Sequence, residues 1–319
     1  MTRTLLFPLT HLGLIRARGE DARSFLQGQL SNDVRRLDTG LGQLTSYNSP
    51  KGRMLAVLQL IADGDDVLIE LPRSVLPAVL KRLRLYVLRA RLTLDDVSDA
   101  MPPLGLAGPQ AAALLAAQGL TVPLAPQQCC RAGGRIVLRR LGDTPRYTLY
   151  GPPEALDALR AAWRDLAAGS DDDWRRLDIL AGVPTVVPET SDHFVPQMAN
   201  LDRLGGISFD KGCYTGQEIV ARLHYLGQLK RRMFQGRVDG PGTVAPGTDV
   251  YDAEDPQAVG EVVQAVPDGD GQLLSLVLQL NHAQSPSLRL GGTPSRPVTV
   301  YPAVTPDENP GSPSPAPIA

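Results

Sequence analysis

One cysteine stands in a run of charged, small and helix-capping residues, Lys211-Gly212-Cys213-Tyr214-Thr215-Gly216-Gln217-Glu218. Thr215 followed three residues later by Glu218 is the pattern of a capping box, and the apolar residues that follow have helical spacing, so a helix is expected to begin here. The unpaired amides of a helix start carry partial positive charge, and Lys211 would add a full charge. Both effects favour the thiolate of Cys213, which is the form that acts as a nucleophile or metal ligand.

The alternative for Cys213 is a small, buried and inert apolar residue, which is the usual state of a free cysteine. Gly212 and Gly216 favour the reactive interpretation, because residues without side chains let another molecule approach the backbone. The adjacent pair Cys129 and Cys130 lies in a segment expected to be a loop and lacks these surroundings. Its spacing also differs from the C-x-x-C pairs that hold zinc or clusters, so the sequence predicts no metal site.

The run around Cys213 resembles the YgfZ-type tetrahydrofolate-binding proteins, which are relatives of the glycine cleavage T-protein and serve the maturation of iron-sulfur proteins. Further similar runs are found at residues 25–33, 51–53, 194–202, 204–209 and 221–232. The resemblance extends over residues about 12 to 302. We refer to residues 211–218 as the thiol motif, to 51–53 as the glycine turn and to 25–33 as the N-terminal signature.

The resemblance implies a function that neither composition nor spacing could supply. It implies that tetrahydrofolate, or a C1-substituted derivative, is the cofactor, and that the protein assists iron-sulfur cluster assembly or repair in client enzymes. Cys213 with Lys211 would be the reactive group, through transient bonding of the thiolate to iron, sulfide or a client thiol. The folate-binding residues would be Gln197, Asn200, Gly212, Tyr214, Gly216, Gln217, Glu218 and Arg222.

Two departures from the relatives concern chemistry. The T-protein aminomethyltransferases carry a pair of aspartates after the glycine that aligns with Gly52, and this chain has Ala56 and Val57 instead. These side chains cannot accept a proton or stabilise a developing cation, so glycine cleavage is not expected. Relatives also place a glutamate that holds the pteridine where this chain has Leu180, and Asp178 is the nearest acid.

Two other functions remain as alternatives. The first is a folate-dependent aminomethyl or C1 transferase, against which the missing aspartates argue. The second is a non-catalytic module that binds folate or RNA, since a basic stretch with an interposed aromatic is typical of nucleic-acid binding. A solvated charged face is the simpler interpretation of that stretch, which consists of Arg222, His224, Tyr225, Lys230, Arg231 and Arg232.

Composition excludes several classes of protein. The 319 residues exceed the ~250–300 at which single cores stop growing, so more than one domain is expected. A net charge of −2 gives no global attraction to DNA or to an acidic membrane. The resemblance, and not the charge, implies folate and iron-sulfur client or assembly proteins as partners. Three cysteines suit a reducing compartment, and the protein is expected to be cytoplasmic. No apolar run approaches the ~20 residues of a membrane span.

The elements that must position the thiol are of mixed type. Alternating and helical apolar patterns predict strands near 14–17, 54–61, 67–71, 135–141 and 147–150 and helices near 22–30, 76–87 and 153–167. This mixture indicates the α+β class. Five β-rich runs after residue 232, separated by Gly, Pro and Asp, predict a small antiparallel barrel or sandwich.

The domain boundaries follow from these patterns. Residues 1–230 are expected to form the folate-binding α+β region, with a second βαβ-type unit at about 102–168, and residues 231–302 the C-terminal barrel. Residues 303–319 are rich in Pro, Ser and Ala, which predicts a disordered tail. The resemblance adds that the α+β region consists of two interleaved ferredoxin-like units of the T-protein type, arranged with the barrel around a central opening for the folate.

Overall fold

The computed structural model describes residues 1–253, 255–292 and 295–301. Within them the α-helices are α1 (Ala22–Gln29), α2 (Leu76–Arg84), α3 (Ala111–Ala117), α4 (Pro153–Ala162), α5 (Asp171–Leu180) and α6 (Gln217–Tyr225). The strands are β1 (Leu5–Phe7), β2 (Leu12–Arg18), β3 (Gly42–Asn48), β4 (Met54–Asp63), β5 (Asp66–Pro72), β6 (Thr93–Asp96), β7 (Leu104–Ala107), β8 (Cys129–Ala132), β9 (Arg135–Arg139), β10 (Arg146–Tyr150), β11 (Ala167–Ala168), β12 (Arg231–Val238), β13 (Asp249–Asp252), β14 (Asp255–Asp268), β15 (Gly271–Gln279), β16 (Leu288–Leu290) and β17 (Thr299–Val300). Short 3-10 helices lie at Val34–Arg36, Pro188–Thr190 and Pro196–Ala199.

The first sheet is antiparallel, in the order β3-β4-β5-β2-β6, and carries α1 and α2 on one face. Its second strand, β4, is apolar from Met54 to Ala62 except for Gln59, because both of its faces are covered. Leu58 and Leu60 point to the helices, whereas Ile61 points to the opposite face. An apolar run of this kind is typical of a strand that is buried on both faces, and it is why the strand could be predicted from the sequence.

The second sheet has the order β11-β1-β7-β10-β9-β8, with α3 and α4 on one face. Its neighbours pair antiparallel except for β1 with β11, so the expected βαβ-type unit is built mainly from antiparallel neighbours. The loop expected at Cys129 and Cys130 is wrong, because these residues belong to strand β8. The pair was placed in a loop because prolines precede it, but it pairs with Val137 and Leu138 of β9.

The first two sheets share a core on their helix-free faces. Leu14, Ile61 and Leu68 from the first sheet pack with Leu138 and Tyr150 from the second. Because each sheet is covered by helices on one face and by the other sheet on the other, the chain satisfies the layered packing expected of an α+β fold.

The third sheet, β16-β13-β14-β15-β12-β17, is antiparallel and contains the β-rich runs after residue 230. Its edge strand β16 also bonds to the chain just before β17, through Leu290 to Arg296 and Val298 to Leu288, so the sheet curls back on itself. The mixed α and β fold is as expected, while the interleaved units and a closed barrel stay predictions. The expected tail at 303–319 lies outside the described residues.

Among the helices of the described residues, none has the length and apolar character needed to cross a membrane.

Candidate functional site

The N-terminal signature and the thiol motif meet through one buried lysine. The ammonium of Lys211 donates to the carbonyl oxygens of Gln27 at 2.8 Å, Leu30 at 2.5 Å and Asn32 at 2.9 Å. These carbonyls lie at and just beyond the end of α1, where backbone acceptors lack helical partners and a cation is favourable. Lys211 is only 6% exposed. Its charge is therefore used to dock the thiol motif on α1.

Burial shifts the pKa of Lys211. Loss of water around the ammonium lowers the pKa of Lys211 from 10.5 to about 8, against the opposing effect of Asp33. The ammonium also lies 4.9 Å from the centre of the Tyr214 ring. Burial raises the pKa of Tyr214 as well, so this side chain is a neutral wall beside the lysine.

The glycine turn packs against the thiol motif, glycine against glycine. Gly52 and Gly216 have φ of +70° and +79°, and a Cβ on Gly216 would lie 2.7 Å from the Cα of Gly52. A Cβ on Gly52 would lie 2.7 Å from the Cβ of Ile219. Left-handed backbone and close approach both require glycine here. The N-terminal signature, the glycine turn and the thiol motif are thus one contiguous structure.

The start of α6 differs from the expected capping box. The helix begins at Gln217 with Gly216 as its N-cap, and no side chain caps it, so Thr215 and Glu218 do not form the expected pair. The reason is the contact with the glycine turn, which holds Gly216 in a left-handed conformation and delays the helix by one residue. The side chain of Gln217 instead accepts from the amide of Tyr214 at 3.3 Å.

The thiol of Cys213 is exposed, whereas Cys129 is buried and Cys130 is half-buried. Burial raises the pKa of Cys129 to about 12 and also raises that of Cys130, so neither thiol of this pair is activated. Cys213 is thus the accessible thiol among the described residues. The stabilisation of its thiolate by Lys211 stays a prediction, and the ammonium donates to the carbonyls of Gln27, Leu30 and Asn32.

A first cavity of about 190 Å³ lies between the first two sheets and α5. Its walls are mixed, with apolar Leu44, Val57, Leu58, Leu71 and Val183 and polar Gln59, Glu70, Arg140 and Asp178. Of the two positions that replace the aspartates of the aminomethyltransferases, Val57 lines this cavity and Ala56 faces the helices. The residue that faces the cavity therefore offers only methyl groups.

A buried polar network begins at the lining residues Glu70, Arg140 and Asp178 of this cavity, and we call its members the floor residues. Glu70 accepts from Arg140 at 2.6 Å and from the hydroxyl of Tyr150 at 2.7 Å. Arg146 and Asp178 form a second ion pair at 2.8 Å. The buried amide oxygen of Gln59 has no hydrogen-bond partner. A buried polar atom without a partner is costly, and here it lines a cavity.

Sequence reasoning missed these floor residues. Their only signal was a polar residue inside an otherwise apolar strand, Gln59 in the run 54–61 and Glu70 in the run 67–71. A polar residue at a position buried on both sides of a strand requires a partner. Arg140 and Tyr150 had no signal, because their partners lie on another sheet.

A second cavity of about 280 Å³ is lined by Leu141 and Gly182, which are the sequence neighbours of Arg140 and Val183 in the lining of the first. Its lining includes Leu180, which is 42% exposed, together with Asn200 and Arg203. Asp178, the acid nearest to Leu180 in sequence, lines the first cavity instead.

The expected folate-binding residues fall into separate groups. Asn200 lines the second cavity, and its amide donates to the carbonyl of Met233 at 2.8 Å. Gln197 is buried and donates to the carbonyl of Val220 at 2.7 Å, which ties it to α6. Arg222 is exposed on α6. The lining of the two cavities includes none of the remaining expected residues, which are Gly212, Tyr214, Gly216, Gln217 and Glu218.

Comparison with known proteins places this geometry in context. A scan of protein-family models finds no match. The tRNA-modifying protein YgfZ of Colwellia psychrerythraea is 29% identical over 301 residues, which cover 94% of this chain and 92% of that protein. The tRNA-modifying protein YgfZ of Sodalis glossinidius is 32% identical over 286 residues, which cover 89% of this chain and 87% of that protein.

Among solved structures, the glycine cleavage system aminomethyltransferase T from Bartonella henselae has a TM-score of 0.67 at 18% identity. The match covers 94% of this chain and 86% of that chain. At this identity the likeness shows a shared fold.

Proposed function

This chain belongs to the YgfZ family, and from that membership we propose that it binds tetrahydrofolate and uses Cys213 to assist iron-sulfur cluster assembly or repair in client enzymes. The observation that carries the proposal is the convergence of three distant segments on one exposed thiol. Lys211 fixes the loop on α1, and the paired glycines fix it on the glycine turn. Such support is typical of a residue that must be presented in one orientation.

The first cavity offers the groups that a pteridine requires. A flat ring fits between apolar walls such as Val57 and Val183, and its amino group can donate to the unpaired amide oxygen of Gln59. Arg73 and Arg175 also line this cavity, and their guanidinium groups, which pair with the exposed Asp99 and with Asp172, would suit the carboxylates of a folate tail. A bound tetrahydrofolate would supply a carrier for one-carbon units.

Cys213 would act by transient coordination of iron, in which its thiolate displaces another ligand of the metal and no change of oxidation state is needed. One cysteine cannot hold a stable cluster alone, since clusters ordinarily require about four ligands. The exposed thiol is therefore suited to transfer, with client or assembly proteins as partners. Cys213 lies outside the lining of both cavities, so we assign the thiol and the folate to separate sites on one molecule.

Folate binding is tested by thermal unfolding with and without tetrahydrofolate. Ligand at 100 times its Kd should stabilise the fold by about 2.7 kcal/mol. The variant Gln59→Leu should reduce this shift, because it removes the unpaired acceptor, while the exposed Gln228→Leu should respond as the wild type does. A melting temperature that saturating tetrahydrofolate leaves unchanged contradicts the folate assignment.

The role of Cys213 is tested by complementation of a gene knockout, with iron-sulfur enzyme activities as the measurement. Cys213→Ala should abolish complementation while the melting temperature stays within a few degrees of the wild type. The double variant Cys129→Ser/Cys130→Ser serves as the control and should complement. Full complementation by Cys213→Ala would show that another group carries the activity.

The runner-up is a folate-dependent C1 transferase, which the overall fold would accommodate. The side chain of Val57 argues against it, because the cavity lacks a carboxylate there to assist proton transfer or stabilise a cation. We therefore expect no folate-dependent release of ammonia from an aminomethyl-lipoyl carrier. Turnover above background would favour the transferase.

A further inference from the structure

We propose that the C-terminal end of α6 carries a binding site for single-stranded RNA, formed by an aromatic platform of Phe209, His224 and Tyr225. The platform lies outside the lining of both cavities and does not include Cys213. The proposal therefore goes beyond the folate and thiol functions and stands or falls independently of them.

The platform is an ordered stack with an open side. The rings of Phe209 and His224 are nearly parallel, with 3.6 Å between centroids and 11° between planes. Tyr225 stands edge-on to His224, at 4.7 Å and 78°. Phe209 is half-buried and anchors the stack, whereas His224 is exposed and Tyr225 is 62% exposed. Such surfaces accept the face of an unpaired nucleobase.

Leu226, which follows Tyr225, is 86% exposed and extends the apolar surface. Exposed apolar groups of this size beside an aromatic stack are unfavourable in water unless something covers them. A planar base can cover both, because its face is apolar and its edge remains hydrated.

Cationic residues flank the platform in the sequence. Arg222 lies one turn before Tyr225 on α6, and Lys230 and Arg231 follow the helix. Within the described part of the chain these three side chains form no ion pair. Arg232, by contrast, pairs with Asp202 at 2.7 Å, so it belongs to the fold and not to the surface. The acids on this segment, Asp210 and Glu218, are fewer than the free cations.

Cationic side chains by themselves could bind any polyanion. The aromatic stack indicates which class of polyanion the surface binds. An acidic protein surface offers carboxylates but no flat rings, and an RNA duplex offers phosphates with its bases already stacked inside the helix. A single strand offers both phosphates and unpaired bases. The combination of a stack with cations therefore points to single-stranded RNA.

The test measures binding of a short fluorescein-labelled oligouridylate to the full chain by anisotropy, over a range of salt concentrations. Tyr225→Ala should weaken binding about tenfold through loss of stacking. Tyr225→Phe keeps the ring and should bind as the wild type does. Tyr251→Ala, a half-exposed aromatic on the third sheet, is the matched control and should also bind normally.

Arg222→Gln should lower the slope of log K against log salt by about 0.7, since it removes one phosphate contact with a single strand. The same change at Arg164, an exposed arginine after α4, should leave the slope unchanged.

A fully paired RNA duplex and polyglutamate serve as competing ligands. The site is supported if the single strand binds more tightly than either and if Tyr225→Ala removes that preference. It is overturned if Tyr225→Ala binds the oligouridylate as well as Tyr251→Ala does. It is also overturned if polyglutamate competes equally with the single strand, because the surface would then be one for acidic proteins.

Discussion

At the scale of single residues, Lys211 is the clearest case of a buried charge that positions an exposed group. Its ammonium donates hydrogen bonds to three backbone carbonyls and lies beside the ring of Tyr214. Cys213, two positions later, is exposed between the buried residues Lys211 and Tyr214. The lysine thus acts as a positioning residue for the thiol.

The lowered pKa of Lys211 makes stability depend on pH. The folded chain releases the proton near pH 8, whereas the unfolded chain retains it to about 10.5. The unfolded state therefore binds more protons in this window, and the free energy of unfolding rises with pH. We expect the wild type to gain up to about 3 kcal/mol relative to Lys211→Met as pH rises from 8 to 10.5.

The measurement is urea unfolding at several pH values. Lys230→Met is the control and should parallel the wild type, because this lysine is exposed and its side chain forms no ion pair or hydrogen bond with the described residues. A difference between wild type and Lys211→Met that is constant across this pH range contradicts the assignment.

Sequence reasoning reached Cys213 but not the role of Lys211. The octapeptide identified the thiol because its residue types and spacing are specific. The acceptors for Lys211 are main-chain carbonyls, one of them 184 positions away. Backbone carbonyls are present at every residue, so no residue type could reveal them.

At the scale of elements, the contact between the glycine turn and the start of α6 fixes the thiol motif. Gly52 and Gly216 are both left-handed and in backbone contact. The contact also sets where α6 begins, since the helix starts at the residue after Gly216. A change in either glycine should therefore move Cys213.

Gly216→Ala should cost more than about 2 kcal/mol of stability, because left-handed strain adds to a clash with the glycine turn. Gly182→Ala is the control, with φ of +67° and open space around its added methyl. It should cost only the strain, about 1 kcal/mol. Urea unfolding gives both values, and the alkylation rate of Cys213 should change in Gly216→Ala alone. Equal costs for the two variants would show that the contact is loose.

Elements with strong periodicity were predictable, and elements defined by contacts were not. The apolar runs of β4 and β5 and the helical stripe of α2 appear in the structure at nearly the expected bounds. The capping box at Thr215 failed because a distant glycine turn overrides local capping. Strand β8 failed because its two cysteines pair with a strand that follows them, and prolines before them indicated a loop.

At the scale of the whole molecule, the network of Glu70, Arg140 and Tyr150 joins the first sheet to the second across the cavity. Burial raises the pKa of Tyr150 well above its usual value, so its hydroxyl stays protonated and donates. All three side chains are at least nine-tenths buried. The network therefore fixes both the distance between the sheets and the shape of the cavity.

Glu70→Leu should destabilise the fold by about 3–5 kcal/mol, because it leaves the buried charge of Arg140 without its partner. Glu70→Leu/Arg140→Leu should cost less than the single variant, since no charge is then left unpaired. Thermal or urea unfolding of the two variants and of Arg140→Leu completes the cycle. Additive costs would show that the two groups do not interact.

The fold class could be predicted from the sequence, whereas the arrangement of residues around the two cavities could not. Strand and helix patterns indicated α+β, and the resemblance implied a central opening. The two cavities depend on which faces of β4 and β5 meet the second sheet, and this follows from long-range packing that periodicity does not encode.

The route by which Lys211 reaches α1 has a consequence for the order of events in folding. Three contacts that surround the thiol motif join residues 184, 175 and 143 positions apart, from Lys211 to Gln27, from Ser31 to Gly206 and from Ser49 to Asp192. Contacts between such distant positions form late, because the intervening chain must first be ordered. During synthesis the first sheet can be complete before residue 213 emerges. Cys213 therefore acquires its final surroundings only after the thiol motif has packed against the N-terminal segments. Its exposure in this setting thus indicates that the chain has finished folding.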